Sequence, residues 1–332
     1  MGERRGRHQV RLLRMWQTGA VLVVLTALLL WFLIDRPDHM APPQLVTQPD
    51  QGVASFVRFI DGANTSLDGE IYLITSPDIL AALESAPARG VHVRLLLEHS
   101  PFVGGPKPEE TFRRLKEHGV QVRWAPGRFR FTHAKWLLRD GQQAWIGTMN
   151  WSAAAFKSNR EFAVIDTDKP VSRQLAEVFA ADWEDRELTA SVPQLVVSPN
   201  NARQQINRLI GSARTSLDVY AEVLNDQKTT ALLLQAAKQG VRVRVVWSGN
   251  GEPGEAGELA RGGVYVVKCT KPVIHAKAIV VDGTTVFVGS INFSNASFHQ
   301  NREVGVIVRD LTVATSVEHT FAADFESGMP VE

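Results

Sequence analysis

The sequence predicts an α/β protein of two homologous units, preceded by one N-terminal transmembrane helix. Three observations carry this. An uncharged run of twenty residues lies near the start, "MWQTGAVLVVLTALLLWFLI", Met15 to Ile34. The rest of the chain is written twice. Within each copy, strand-like apolar runs alternate with helix-like amphipathic ones, the pattern of a sheet covered by helices.

In chain order, residues 1–14 form a basic arm with five arginines and one glutamate. Residues 15–34 are the anchor: at about 1.5 Å per residue they span about 30 Å, the thickness of a bilayer core. Positive charge before the span puts the N-terminus in the cytoplasm and the body outside, as a single-pass cell-membrane protein. Cleavage and secretion is the alternative, but the sequence continues as "DRPDHMAPP" with no small-x-small site. Residues 35–44 are a linker, 45–190 the first unit and 191–332 the second. The whole chain carries +1, so without its arm and anchor it carries about −3. That is not the field of a non-specific nucleic-acid binder. Cys269 is the single cysteine. It excludes an internal disulfide framework and a CxxC zinc site, and reads as a small core residue.

The repeat starts at an offset of 150: "LVTQPD" at Leu45 and "LVVSPN" at Leu195, "TSLDGEIY" and "TSLDVYAE", "RGVHVRLLLE" and "QGVRVRVVWS". From His133 onward the offset is 142, through "NRE" and "FAADW"/"FAADF". Each copy reads as a helix before "TSLD", a strand, a helix stopped by Gly90 or Gly240, and a Val/Leu-rich strand. In the first copy "PEETFRRLKEHG" is a further amphipathic helix. A hairpin, a strand ("EFAVID", "EVGVIV") and a closing helix (171–185; 313–326) finish each unit.

The hairpins carry the polar residues. "FTHAKWLLRDGQQAWIGTMN" and "VIHAKAIVVDGTTVFVGSIN" each hold His, then Lys two positions on, so both side chains share one face of a strand. Asp140-Gly141 and Asp282-Gly283 are hairpin-turn dipeptides, and turn chemistry explains these aspartates as well as catalysis does. Thr148 and Asn150, with Ser290 and Asn292, follow the second strand. Asn159-Arg160-Glu161 and Asn301-Arg302-Glu303 follow those. Spacing from His to Glu is the same in both copies. Apolar positions have drifted between copies ("WLLR" against "AIVV") while the polar set has not. A satisfied core histidine, a lysine reaching for water and a surface salt-bridge cluster do not together explain that.

The doubled pattern His-x-Lys-x4-Asp-x6-Gly-Ser/Thr-x-Asn resembles the phospholipase D superfamily over residues 45–326, with Thr148 standing where the pattern prefers Ser. The resemblance implies two phospholipase D-like α/β-sandwich units around a pseudo-twofold axis, sharing one site. It implies that His133, Lys135, Asp140, His275, Lys277 and Asp282 are catalytic. Asn150, Asn292, Thr148, Ser290, Glu161 and Glu303 would bind substrate or brace the machinery, the glutamates orienting the imidazoles. One histidine attacks phosphorus to give a phosphohistidine while the other protonates the leaving oxygen. His133 is assigned the first role and His275 the second. Lys135 and Lys277 neutralise the phosphate, so no metal and no cofactor is expected.

The implied activity is hydrolysis or transfer of the phosphatidyl group of phospholipids, with a cardiolipin-synthase-type transferase as the close variant. A superfamily nuclease is the alternative, since "GRFRF" at Gly127 interleaves Arg with Phe. Loss of one His would have favoured a non-catalytic binding module; neither is lost. Trp124, Phe129, Phe131, Trp151 and Phe293 lie near the motifs, as hairpin core or as lipid contacts. The loops "EHSPFVGGPKP" and "GNGEPG" are expected to border the pocket; the second matches GxGxxG by chance, with Pro253 inside it.

Overall fold

The computed structural model describes residues 41–102, 107–250 and 254–332. The predicted basic arm and membrane anchor lie outside them. Among the described residues no helix is long and apolar enough to cross a membrane. Residues 42–332 form one compact unit.

The first half runs β1 (Gln44–Gln48), α1 (Ala54–Asp61), β2 (Ser66–Ile71), α2 (Pro77–Ser85), β3 (His92–Leu97), α3 (Pro108–Glu117), β4 (Gln121–Trp124), β5 (Lys135–Arg139), β6 (Gln143–Gly147), α4 (Ala153–Lys157), β7 (Asn159–Asp166) and α5 (Lys169–Trp183). The second runs β8 (Leu195–Ser198), α6 (Ala202–Gly211), β9 (Ser216–Ala221), α7 (Gln227–Lys238), β10 (Arg242–Trp247), α8 (Gly254–Arg261), β11 (Tyr265–Lys268), β12 (Val273–Ile274), β13 (Lys277–Val281), β14 (Thr285–Gly289), α9 (Asn295–His299), β15 (Glu303–Val308), α10 (Leu311–Ser327) and β16 (Met329–Pro330).

Each half builds a mixed sheet. The first has the order β1-β7-β6-β5-β2-β3-β4, the second β16-β11-β10-β9-β13-β14-β15-β8. Strands joined by helices are parallel (β2-β3-β4, β9-β10-β11), and the hairpin strands are antiparallel, as short and long connections require. Helices stop where the sequence predicts: Gly90, Gly119 and Gly240 all have φ near +85°, a conformation open to glycine.

One apolar cluster backs each sheet, and a third, including Trp136, Phe162, Phe179, Tyr220 and Phe321, draws on both halves. The repeated charged residues are explained by register. Asp68 lies beside Arg94 and Asp218 beside Arg244 on adjacent parallel strands. Each arginine grips its aspartate with two nitrogens at 2.6–2.7 Å, and lies over Phe179 or Phe321 of the closing helix. Cys269 is buried one residue past β11.

The halves are stitched by reciprocal contacts. Backbone of the segment before each histidine pairs with the Asn-Arg-Glu strand of the other half: Ile274 with Arg160, Thr132 with Arg302. The two arginines are buried, not at the surface. Arg160 binds Asp324 of α10 at 2.7 Å, and Arg302 binds Asp182 of α5 at 2.6 Å. Each also donates to a carbonyl of its own half, Gln48 or Ser198.

Candidate active site

Every hairpin turn has the conformation its Asp-Gly dictates. Asp140 and Gly141 have φ +54° and +63°, Asp282 and Gly283 +50° and +63°, the left-handed pair of a type I′ turn. Lys135 and Lys277 begin the inner strands, and the aspartates follow the strands' far ends. Five residues at about 3.3 Å each separate the two by about 16 Å. Asp140 and Asp282, expected among the catalytic residues, are therefore not brought to the histidines. Asp140 accepts the backbone N–H groups of Asn64, Thr65 and Ser66 and the hydroxyl of Thr65. Asp282 does the same for Arg214, Thr215 and Ser216. Against the opposing effect of burial, these bonds hold Asp140 down to about 2. The aspartates tie the hairpin to the strand beside it, which also explains the repeated Thr-Ser of "TSLD".

The remaining predicted residues converge. His133 and His275 keep 14% and 16% of their side chains exposed, so their rings are reachable while everything that braces them is buried. His133 Nδ1 lies 2.9 Å from Glu303 Oε2, and His275 Nδ1 lies 2.8 Å from Glu161 Oε1. Each histidine thus stands against the glutamate of the other half, His133 through a hydrogen bond and His275 as a close ion-pair approach. This crossing follows from the stitched backbone, where His133 N donates to Arg302 O and His275 N to Arg160 O. Thr148 donates to Glu161 at 2.5 Å, so a threonine hydroxyl serves where serine is preferred. Asn301 donates to Glu303 at 3.1 Å. Ser290 lies against Val304, accepting its N–H at 3.1 Å, and also stabilises the Glu303 carboxylate.

Lys135 and Lys277 are buried. Each donates to the carbonyl of the histidine two residues before it, at 2.5 and 2.6 Å. Burial pushes the Lys135 ammonium down to about 7; Glu303 opposes this and Lys277 adds to it. Burial also lowers His133, again against Glu303 and with Lys135. Glu303, although burial raises it, is drawn below the usual carboxylate range by His133 and Lys135. An ionised Glu303 accepts only, so Nδ1 of His133 carries the proton and Nε2 offers a lone pair. The side-chain oxygens of Asn150 and Asn292 are buried without a protein hydrogen bond.

Two neighbours of the histidines carry no signal in the motif. Tyr72 stands edge-on to His133, ring centres 4.7 Å apart, with Lys135 Nζ 5.0 Å from its ring. At the matching position of the second copy stands Glu222, paired with Lys277 and 3.5 Å from His275 Nε2. Aligning "TSLDGEIY" with "TSLDVYAE" places Tyr72 opposite Glu222, just past strands whose first three residues match and whose last three do not. The first expected loop borders Tyr72, whose hydroxyl accepts from Phe102 N; Ser248, the residue before the second, donates to Glu222 O. Trp151 and Phe293 are core, while Trp124, Phe129 and Phe131 are half-buried. In "GRFRF", Arg128 is committed to Asp182 and Asp185.

The doubled His-x-Lys motif that resembles the phospholipase D superfamily thus folds into one site. The chain belongs to that superfamily: residues 56–183 and 206–325 match the family model "Cardiolipin synthase, PLD-like domain". Curated relatives include cardiolipin synthase A of Erwinia tasmaniensis, 24% identical over 80% of this chain and 65% of that protein. They include cardiolipin synthase of Geobacillus thermodenitrificans, 24% identical over 87% and 67%, and cardiolipin synthase A of Pseudomonas aeruginosa, 26% over 67% and 54%. This chain therefore spans about two thirds or less of the length of these relatives. Among solved structures, a polyphosphate kinase from Porphyromonas gingivalis superposes with TM-score 0.71 at 15% identity, over 87% of this chain and 48% of that one. Phosphatidylserine synthase of Haemophilus influenzae Rd KW20 superposes at 0.66 and 11% identity, over 87% of both. These two likenesses bear on the fold alone.

Proposed function

We propose that this protein is a phospholipase D-type enzyme that moves the phosphatidyl group of a phospholipid through a phosphohistidine, to water or to a lipid hydroxyl. The observation that carries the reading is the pair of crossed contacts, His133 with Glu303 and His275 with Glu161, which turns two imidazoles into one acid–base and nucleophile pair. The cardiolipin synthases among its relatives favour phospholipid as the substrate class and transfer as the outcome.

In the first step the Nε2 lone pair of His133 attacks phosphorus. The bond from phosphorus to the headgroup oxygen breaks, and His275 gives its Nε2 proton to that oxygen. In the second step His275 takes the proton of water or of an incoming hydroxyl, which attacks phosphorus and breaks the P–N bond. Lys135 and Lys277 neutralise the non-bridging oxygens, where charge grows in both steps. The halves differ beside the histidines: Glu222 stands at the Nε2 side of His275, and Tyr72 stands edge-on to His133.

An intermediate that waits for its second nucleophile is shared between competing hydroxyls. With phospholipid and added ethanol, phosphatidylethanol should form at the expense of phosphatidic acid or of the lipid-transfer product. Lipid turnover without any ethanol adduct at high ethanol contradicts an accessible intermediate. Cleavage of DNA with phospholipids untouched replaces this reading with that of a nuclease.

A further inference from the structure

The two halves repeat the histidines, lysines, asparagines and glutamates of the site, and differ most beside the histidines. Tyr72 and Glu222 hold equivalent positions just past equivalent strands, β2 and β9, yet one is an aromatic ring and the other a carboxylate. A carboxylate is costly where an anionic phosphodiester must bind, because like charges repel in a site of low dielectric. Neutralising the buried Lys277 does not by itself explain it. Lys135 is just as buried; Glu303 is the main carboxylate supporting its charge, and at the matching place it has the Tyr72 ring 5.0 Å away. Glu222 reaches Lys135 and His133 electrostatically as well, but its carboxylate stands against Lys277 and His275, on one side of the phosphorus.

The two sides differ in what they hold. If His133 attacks, the headgroup oxygen departs opposite to it, within hydrogen-bond reach of His275 Nε2. Glu222 Oε2 lies 3.5 Å from that nitrogen. It therefore borders the space next to the departing oxygen, where the next atoms of the alcohol must lie. The same space receives the incoming alcohol, since the second step retraces the first. The carboxylate accepts hydrogen bonds and attracts cations, and it repels a second anion.

We propose that Glu222 forms the alcohol subsite, selecting headgroup and acceptor alcohols that carry a second hydrogen-bond donor, a hydroxyl or an ammonium, beside the reacting oxygen. The proposal rests on the phosphatidyl-transfer reading above. Its neighbours His275 and Lys277 hold Glu222 ionised, against the effect of burial, so it stays an acceptor throughout the working pH range. When substrate phosphate draws Lys277 to its oxygens, the carboxylate is released to the alcohol.

The test is a competition in one mixed micelle between phosphatidylglycerol, phosphatidylethanolamine and phosphatidylpropanol with the same acyl chains. The last has a headgroup of similar size and no second donor. Relative consumption gives the ratio of kcat/KM values and is independent of how much active enzyme is present. The wild type should consume a donor-bearing lipid about tenfold faster or more than phosphatidylpropanol, since a lost hydrogen bond to a charged group costs at least that much. Which of the two donor-bearing lipids leads tells hydroxyl from ammonium. In Glu222→Gln and in Glu222→Tyr, which copies the other half, that preference should fall to about twofold or less. A preference unchanged in both variants, no preference in the wild type, or an equal loss on all three lipids would overturn the subsite and leave Glu222 serving only His275 and Lys277. No consumption of any lipid by the wild type is a different failure, that of the phosphatidyl reading itself.

Discussion

Glu303 lies 2.9 Å from Nδ1 of His133, although 170 residues separate them in the chain. No half of the molecule can orient its own histidine. Glu303→Gln keeps the shape but replaces an obligate acceptor with an amide, which can present its NH₂ and favour the wrong tautomer. The expected loss is about 10²–10⁴-fold in kcat with little change in KM. Steady-state kinetics on a soluble short-chain phospholipid measure it, and a loss confined to KM would contradict an orienting role.

The pH profile follows from Lys135 and His133. In the free enzyme the Lys135 ammonium loses its proton near pH 7, and its charge is needed to bind an anionic phosphodiester. So kcat/KM should fall as pH rises through about 7. Burial keeps His133 below its ordinary value, so its lone pair is lost only at more acidic pH. The optimum of kcat/KM therefore lies on the acid side of the alkaline limb, and in kcat that limb moves upward because bound phosphate stabilises the ammonium. In the residual activity of Lys135→Arg the limb near 7 should vanish from kcat/KM; its persistence would assign it to another group.

Asp140 should matter for stability and not for chemistry. Asp140→Asn keeps a residue that tolerates positive φ but weakens the bonds to the amides of residues 64–66. A loss of about 0.5–2 kcal/mol is expected, the range for a capping side chain, read as a lower Tm, with kcat retained well below that temperature. Because folding lowers its pKa from 3.8 to about 2, its contribution is present above pH 4 and is lost as pH falls through about 2. Abolished turnover in a folded Asp140→Asn protein would return Asp140 to the catalytic set.

Asp182 anchors the buried Arg302, whose carbonyl positions His133. Asp182→Ala leaves that guanidinium buried beside an emptied position, which costs about 3–5 kcal/mol. Denaturant unfolding should show it, and Asp324→Ala, at the equivalent place, should lose a similar amount. A loss below about 1 kcal/mol in both, the level of an exposed pair, would contradict the buried stitch.

Much of this was legible because the chain repeats itself. Comparing copies separated the fixed polar residues from drifting apolar ones and located His133, Lys135, Glu161 and their partners without any structure. Strand and helix order followed from apolar runs and from Gly90, Gly119 and Gly240. What stayed hidden depends on contacts between the halves. Sequence does not say that Glu303 turns to His133 and not to its own His275, because that choice comes from backbone pairing across the interface. The aspartates of "FAAD" repeat visibly, yet their role needed Arg160 and Arg302 to be seen buried against them. Asp140 and Asp282 were ambiguous because turn and catalytic readings place the same residue before the same glycine; strand length decided between them. Tyr72 and Glu222 differ between the copies, so the repeat carries no signal for them.

The central claim is one site in which His133 is the nucleophile and His275 the acid and base. A phospholipid with a p-nitrophenol headgroup tests it most directly, since that leaving group departs without an acid while the second step still needs a base. In His275→Ala the account predicts a burst of p-nitrophenol stoichiometric with enzyme, followed by near-arrest. Mass spectrometry of the quenched protein should then find the phosphatidyl group on the peptide that contains His133. His133→Ala should give neither burst nor adduct. A burst in His133→Ala, an adduct on His275, or steady turnover in His275→Ala with no adduct would contradict the account.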